Sequence, residues 1–267
     1  MSPHVLFATL LFAAPALARS GPELVASGTP EAKAQALLAE IAARNAGWAD
    51  FTGEVEMDLE DPSGGKAHRA FTVKALEKGA GGDGDRSLIV FTAPADVKRT
   101  ALLSHAHGDG DDEQWLYLPA SRRVKRVSTS NRGGAFAGSE FSFEDLTASD
   151  ARKYAWRYAG EQPCGASRCL ALEATPKAAG SAYSRRVLLV DADELRAQRV
   201  DLYDRKGQLW KTLAYADYVP IGGRFYRARA WSMKNVQSGK ATTLRFANMK
   251  VGSHYTAADF QPEKLGN

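Results

Sequence analysis

The chain has 267 residues, with 35 Lys and Arg against 31 Asp and Glu and a formal net charge of +4. This mild basicity argues against a nucleic-acid-binding protein, which needs a broader cationic surface. Beyond the N-terminus no apolar run reaches the roughly 18 residues of a transmembrane helix, so we expect a soluble protein. Because the sequence has no clean internal repeat and no long linker, we assign residues 19–267 to a single domain.

Residues 1–18 resemble a secretory signal peptide. Residues 5–14 form an apolar run too short for a permanent membrane anchor, and the motif Ala-Leu-Ala at 16–18 resembles an A-x-A cleavage site. The alternative is an N-terminal core helix, which is disfavoured because nothing caps it and Pro15 interrupts it. We therefore expect export of the protein and removal of this segment. No cysteine follows the cleavage site, so no lipid should be attached there.

The next predicted element is a helix. Thr29 is a suitable N-cap and Pro30 suits the first turn of a helix. Leu37, Leu38 and Ile41 recur on one face of this segment. The helix should therefore pack as an amphipathic lid or brace.

The rest of the chain has the pattern of β-strands separated by short turns. The segment FTGEVEMDLED alternates between apolar and acidic residues, which predicts a half-buried strand with one wet face. Twelve further segments have strand character and no helices alternate with them, so an antiparallel sheet or barrel is favoured.

Some of these strands are apolar on both faces, as in SLIVFTA, RRVLLV and QWLYLP. Two interpretations remain open. The strands belong either to a sandwich core covered by the N-terminal helix or to a curved sheet whose inner face lines an apolar cavity.

Two cysteines, Cys164 and Cys169, lie close together in the segment PCGASRC. A single C-x4-C pair supplies too few ligands for a structural zinc site, and export favours a disulfide over a redox-active or metal-binding pair. The bond would pin a hairpin, since its loop is short.

The sequence offers little support for catalysis or metal binding. Its only close histidine pair, His105 and His107, has no G-x-S-x-G, H-E-x-x-H or Walker-type partner motif. The acidic segment HGDGDDE at 107–113 departs from the spacing of a calcium loop, so a solvated turn is favoured. We predict a protein that is not an enzyme and that has no catalytic residues, no metal site and no cofactor.

A basic run at 122–126 contains Arg122, Arg123, Lys125 and Arg126. Long basic side chains are typical of edge strands, which they protect from aggregation. The glycine pair at 133–134 is not followed by the Lys-Ser/Thr of a phosphate-binding loop.

The segment 115–146 carries the most specific pattern of the chain. It contains W-L-Y-L-P, then R-R-V-K-R, then S-x-x-x-R-G-G-x-F-x-G-S-x-F-S-F-E-D-L. This pattern resembles the LolA-like outer membrane lipoprotein-sorting proteins of the periplasm, and the general layout agrees from about residue 47 to 265. The resemblance implies a mainly β fold with a few helices. It would be a half-open antiparallel β-barrel with a helical lid or plug that binds acyl chains or other lipids.

Five aromatic residues of this segment offer large apolar area to a lipid chain, at roughly 0.8 kcal/mol per buried methylene. The candidate lipid contacts are Trp115, Tyr117, Phe136, Phe141 and Phe143.

Three arginines of the same segment, Arg122, Arg126 and Arg132, are candidates to contact an anionic headgroup or an acidic partner surface. The alternative is internal pairing with Glu140, Glu144 or Asp145. Glycines at 133, 134 and 138 would let the segment bend across the barrel.

These observations lead to a functional hypothesis. The expected function is a periplasmic carrier or chaperone that binds lipid or lipoprotein acyl chains and moves them toward the outer membrane, with only transient membrane contact. Members of this branch often work beside RND-type exporters, so an RND-type inner-membrane transporter is an expected partner. The alternative is an accessory subunit of such an exporter that carries no cargo of its own.

Overall fold

The computed structural model describes residues 19–79, 84–108, 110–147, 151–165 and 167–266. The predicted signal peptide, residues 1–18, lies outside them. The α-helices are α1 (Gly21–Leu24) and α2 (Pro30–Asn45). The strands are β1 (Asp50–Glu60), β2 (Lys66–Leu76), β3 (Arg86–Ala93), β4 (Ala101–His105), β5 (Glu113–Leu118), β6 (Arg123–Arg126), β7 (Tyr154–Cys164), β8 (Ser167–Pro176), β9 (Arg185–Asp191), β10 (Ala197–Tyr203), β11 (Leu209–Ile221), β12 (Phe225–Asn235) and β13 (Ala241–Val251). No helix among the described residues is long and apolar enough to cross a membrane.

The strands described above form one antiparallel sheet in the order β6-β5-β4-β3-β2-β1-β13-β12-β11-β10-β9-β8-β7. The sheet does not close, because β6 and β7 occupy its two edges. The first and last strands pair at its centre, where Val55 lies opposite Phe246. This arrangement confirms the predicted half-open antiparallel barrel.

Both faces of the sheet are covered, as the strands with two apolar faces predicted. We call the face that carries Phe71, Phe91 and Met233 the inner face; their side chains belong to the largest core cluster and are almost fully buried. On the outer face, Phe260 near the C-terminus packs with Leu103 of β4. Because successive side chains of a strand point to opposite faces, each apolar run contributes to both layers.

Helix α2 covers the inner face at β7, β8 and β9. Its cap is the one predicted: the Thr29 hydroxyl oxygen accepts a hydrogen bond from the amide of Ala32, and Pro30 occupies the first turn. Leu37 has no exposed surface and packs with Leu170 and Val190. Burying one leucine side chain contributes roughly 1.5–3 kcal/mol, so this contact fixes α2 to the sheet.

A second cover comes from residues 129–146, which we call the plug. It follows β6 and contains the short 3-10 helices Thr129–Asn131, Phe136–Gly138 and Phe143–Leu146. Since β6 and β7 lie at opposite edges of the sheet, the chain between them has to cross the inner face. Gly138 allows the turn in the plug, because its φ of +73° lies in the left-handed region. This segment is the helical plug that the sequence predicted.

Candidate functional site

Two adjoining cavities open on the inner face. One, of about 410 Å³, lies beside the C-terminal end of the plug and is lined by β1–β3, β12 and β13; we call it the apolar cavity. The other, of about 510 Å³, lies between the end of α2 and β9–β12; we call it the arginine cavity. Arg227, Ala228 and Trp231 of β12 line both. The two volumes fall in the range of small-molecule sites, roughly 300–1,000 Å³.

The apolar cavity is walled by aromatic and aliphatic side chains. Phe51 of β1 lies opposite Ala75 of β2, and Val73 and Phe71 continue the apolar lining along β2. The rings of Phe246 in β13 and Trp231 form a tilted pair, with 5.0 Å between their centroids. Such a surface suits a hydrocarbon chain, since apolar contact area is what stabilises it. The apolar lining consists of Trp48, Phe51, Phe71, Val73, Ala75, Ile89, Leu146, Ala228, Trp231, Leu244, Phe246 and Met249.

The arginine cavity combines an apolar floor with a cationic rim. Four arginines, Arg44, Arg196, Arg224 and Arg227, face one carboxylate in its lining, Glu194. Leu188, Val190, Ala228 and Trp231 are among its apolar lining residues.

Partners of these arginines differ in charge. Arg196 pairs with Glu194 at 2.9 Å, and Arg44 pairs with Glu40 at 2.9 Å. Arg227 instead donates to two neutral oxygens, Asn45 Oδ1 at 3.0 Å and the carbonyl of Tyr226 at 2.9 Å. The lining therefore keeps an excess of positive charge.

Burial shifts the pKa values of several cavity groups. It lowers the pKa of Arg227, although Glu77 and Tyr218 oppose this effect. Burial raises the pKa of Tyr218 to about 12, and the hydroxyl of this residue donates to the carbonyl of Ala197 at 2.6 Å. The pKa of Tyr215 is raised by the same cause. Near neutral pH both tyrosines are uncharged, so the field of the cavity comes from its arginines.

Ion pairs and hydrogen bonds fasten the plug over the inner face. Glu144 accepts from Arg186 at 2.5 Å, from the hydroxyl of Ser181 at 2.7 Å and from the amide of Ala182 at 2.9 Å. Asp145 accepts from the hydroxyl of Tyr183 at 2.8 Å.

Glu140 provides a further attachment of the plug. Lys211 donates to its carbonyl oxygen at 2.6 Å, and Asn235 donates to its side chain at 2.9 Å. The acidic residues of the plug thus bind strand and loop residues of the inner face.

Three of the predicted aromatic lipid contacts lie together on the side of the plug that faces the sheet. Phe136, Phe141 and Phe143 have exposed fractions of 1%, 0% and 7%, and they pack in the core against Phe91 and its neighbours. None of the three is in the lining of either cavity.

The other two predicted aromatic contacts lie elsewhere. Trp115 and Tyr117 pack on the outer face with Phe260 and Leu265. The structure therefore does not bring them together with the phenylalanines of the plug.

The three predicted headgroup arginines are also separate from the cavities. Arg122 is exposed in the turn between β5 and β6. Arg126 pairs with Glu113 at 2.5 Å, and Arg132 pairs with Asp111 at 3.0 Å. Internal pairing was an expected alternative, but the partners are not the acidic residues of the plug.

Cys164 and Cys169 form the predicted disulfide, which closes the turn between β7 and β8 with a Cα–Cα distance of 5.7 Å. The described residues contain no group of three or more His, Cys, Asp or Glu that could hold a metal ion.

Sequence reasoning missed the arginine cavity. Its residues come from four distant segments, so no local motif marks it. The only available signal was the density of arginine and aromatic residues in the β12 segment RFYRARAW.

Comparison with solved structures finds similar chains over most of the length. A domain from Vibrio parahaemolyticus assigned to the outer membrane lipoprotein-sorting proteins is 37% identical, with 86% of this chain and 96% of that chain covered and a TM-score of 0.82. The chain belongs to the outer membrane lipoprotein-sorting protein family. This membership confirms the resemblance that the segment 115–146 carried.

Two further structures extend the family comparison. A DUF1329 family protein from Desulfovibrio piger is 29% identical, with 89% and 100% of the two chains covered and a TM-score of 0.83. A LolA superfamily protein from Nitrosomonas europaea is 19% identical, with 88% and 98% covered and a TM-score of 0.69, which shows a shared fold.

A family model described as "Uncharacterized protein" matches residues 83–267. The comparison with curated proteins finds no match. The LolA-like fold points to a binding protein rather than an enzyme.

Proposed function

We propose that the protein is a periplasmic carrier that binds lipid or lipoprotein acyl chains on its inner face and carries them toward the outer membrane. The observation that carries this proposal is the apolar cavity of about 410 Å³, which is lined mainly by aromatic and aliphatic side chains. A hydrocarbon chain leaves water favourably for such a surface. Membership of the lipoprotein-sorting family supports the same function.

The periplasmic location is part of this proposal. It is supported by the signal-like sequence at 1–18 and by the disulfide, which suits an oxidising compartment.

Lipid contact by Phe136, Phe141 and Phe143 requires the plug to move, because their rings are buried beneath it. We propose that these rings extend the apolar cavity when the plug is displaced. Leu146 and Thr147 already border the cavity, so such a movement would enlarge a space that exists.

The test begins with the organic extract of protein purified from the periplasm, analysed by mass spectrometry for lipid in near-stoichiometric amount. Binding is then measured with the neutral fluorescent probe N-phenyl-1-naphthylamine. Ala228→Trp places a large side chain in the wall shared by both cavities, so the affinity for the probe should fall. Ala216→Trp is the matched control, since Ala216 is an exposed alanine on the neighbouring strand β11.

Lipid in the extract and loss of probe binding in Ala228→Trp alone support the carrier. A lipid-free protein that does not bind the probe but is pulled down with an RND-type transporter would contradict it and favour the accessory role.

A further inference from the structure

We infer that the cargo is a free anionic amphiphile, with its acyl chain in the apolar cavity and its carboxylate or phosphate headgroup among the guanidinium groups of the arginine cavity. This inference rests on the proposed carrier function and adds the chemical class of the cargo. Three observations carry it: the three lining residues that the two cavities share, the excess of arginine over carboxylate, and the neutral hydrogen-bond partners of Arg227.

The two cavities are direct neighbours, so one molecule of sufficient length would reach from one to the other. Arg227, Ala228 and Trp231 line each of them. The apolar cavity takes its walls from β1–β3, β12 and β13, whereas the arginine cavity lies toward α2 and β9–β12. An amphiphile that lies along these three shared residues would place its chain in the apolar cavity and its headgroup in the arginine cavity.

The balance of charge selects an anion. Among the described residues, the carboxylates that pair with the four cavity arginines are Glu40 with Arg44 and Glu194 with Arg196. No described carboxylate lies within ion-pair distance of Arg224 or Arg227. Glu77 acts on Arg227 from beyond ion-pair distance, so these two guanidinium groups have no direct carboxylate contact among the described residues.

Arg227 is the more informative of the two. Its guanidinium is partly desolvated, which lowers its pKa against the opposing effect of Glu77 and Tyr218, and its hydrogen-bond acceptors among the described residues are Asn45 Oδ1 and the carbonyl of Tyr226. Guanidinium binds carboxylate and phosphate with two parallel hydrogen bonds, so an anionic headgroup compensates its desolvation. An acyl chain joined to a protein through a neutral ester or amide has no charge to offer there.

The experiment compares ligands that share one chain and differ in the headgroup. Displacement of N-phenyl-1-naphthylamine by laurate, dodecyl phosphate and methyl laurate gives three affinities for the wild-type protein. We expect the two anions to bind about tenfold or more tightly than the neutral ester, because charge-assisted hydrogen bonds are the stronger ones. The order of laurate and dodecyl phosphate tells whether a carboxylate or a phosphate fits better.

Variants then assign the preference to the arginines. In Arg224→Gln, and in the double variant Arg224→Gln/Arg227→Gln, the ratio of the anion and ester affinities should fall toward one. Arg229→Gln is the matched control, since Arg229 is exposed on the same strand and lines neither cavity. Arg224 is exposed, so its single variant should fold even if the double variant is destabilised.

The outcomes separate this inference from the proposed function. Equal affinity of the wild-type protein for laurate and methyl laurate would overturn the anionic headgroup and leave the carrier standing. A preference that survives in both arginine variants would also overturn it. If neither the probe nor any of the three ligands binds, the carrier function fails and the inference fails with it.

Discussion

Two phenylalanines of the plug form a series of ring–ring contacts with phenylalanines of the sheet. Phe91 lies 5.4 Å from Phe71 and 5.5 Å from Phe136, and Phe136 lies 5.7 Å from Phe143, measured between ring centroids. Edge-to-face and tilted pairs of this kind contribute roughly 0.5–1.5 kcal/mol beyond their buried area. These rings therefore stabilise the closed position of the plug.

Phe141 and Phe246 should respond differently to truncation. Phe141 has no exposed surface, so Phe141→Ala should cost about 3–5 kcal/mol of unfolding free energy. Phe246 is only half-buried and lines the apolar cavity, so Phe246→Ala should cost less stability and more probe affinity. Urea midpoints and titrations with N-phenyl-1-naphthylamine measure the two effects. A smaller stability loss at Phe141 than at Phe246 would contradict this assignment, whereas an equal loss of affinity would support the proposed displacement of the plug that exposes its rings to cargo.

For individual residues, the sequence predicted which side chains share a face of a strand better than where in the fold they lie. Alternation along β5 correctly puts Trp115 and Tyr117 on one face, but which face that is depends on how the strand pairs and where the plug crosses. The rings of the plug were predicted to contact cargo because they offer large apolar area and the segment resembles a family of lipid binders. Burial of Phe136 arises from contacts with residues far along the chain, and no local pattern reports those.

At the scale of elements, the plug is attached to the sheet by buried polar contacts. Arg186 is buried among Glu144 and the rings of Tyr154 and Tyr183. Burial alone would lower the pKa of Arg186, but its neighbours Tyr154, Glu144 and Asp145 raise it. The guanidinium therefore stays charged and needs its carboxylate.

Removing the charge of Glu144 should loosen the plug. Glu144→Gln leaves the buried Arg186 without the carboxylate that contacts it, and breaking such a pair typically costs about 3–5 kcal/mol. Glu194→Gln is the comparison, because Glu194 is 61% exposed and its pair with Arg196 should contribute less than about 1 kcal/mol. Urea denaturation gives both values. Equal losses in the two variants would show that the Glu144 pair does not hold the plug.

The features predicted at the two edges of the sheet agree with the structure more closely than the predicted aromatic contacts do. All four residues of β6, Arg123–Arg126, are exposed, and β6 forms one edge of the sheet. Basic side chains at this position prevent pairing with another chain, as the run at 122–126 predicted. The disulfide at the other edge, between β7 and β8, followed from cysteine spacing and expected export. The local sequence was sufficient to predict both features, because neither the basic run nor the disulfide depends on residues far along the chain.

For the whole molecule, the order of strands explains how a binding site arises. Consecutive strands pair throughout the sheet except β6 and β7, which lie at its two edges. The first and last strands, β1 and β13, pair with each other instead. The crossing plug and the N-terminal helix α2 then cover different parts of the inner face, and the cavities lie beside them. Hairpin patterns predicted the antiparallel sheet, but the central pairing of the chain ends is long-range and has no local signal.

Cargo binding should stabilise the whole fold, because the cavities exist only when distant strands are assembled. A ligand that binds the folded chain alone adds about 2.7 kcal/mol of unfolding free energy at a hundredfold excess over its Kd. Laurate below its micellar concentration should therefore raise the urea midpoint of the wild-type protein and of Ala216→Trp. The rise should be absent in Ala228→Trp at the same concentration, since that side chain fills the wall common to both cavities. An equal rise in all three proteins would place laurate outside the cavities, because Ala228 lines both of them.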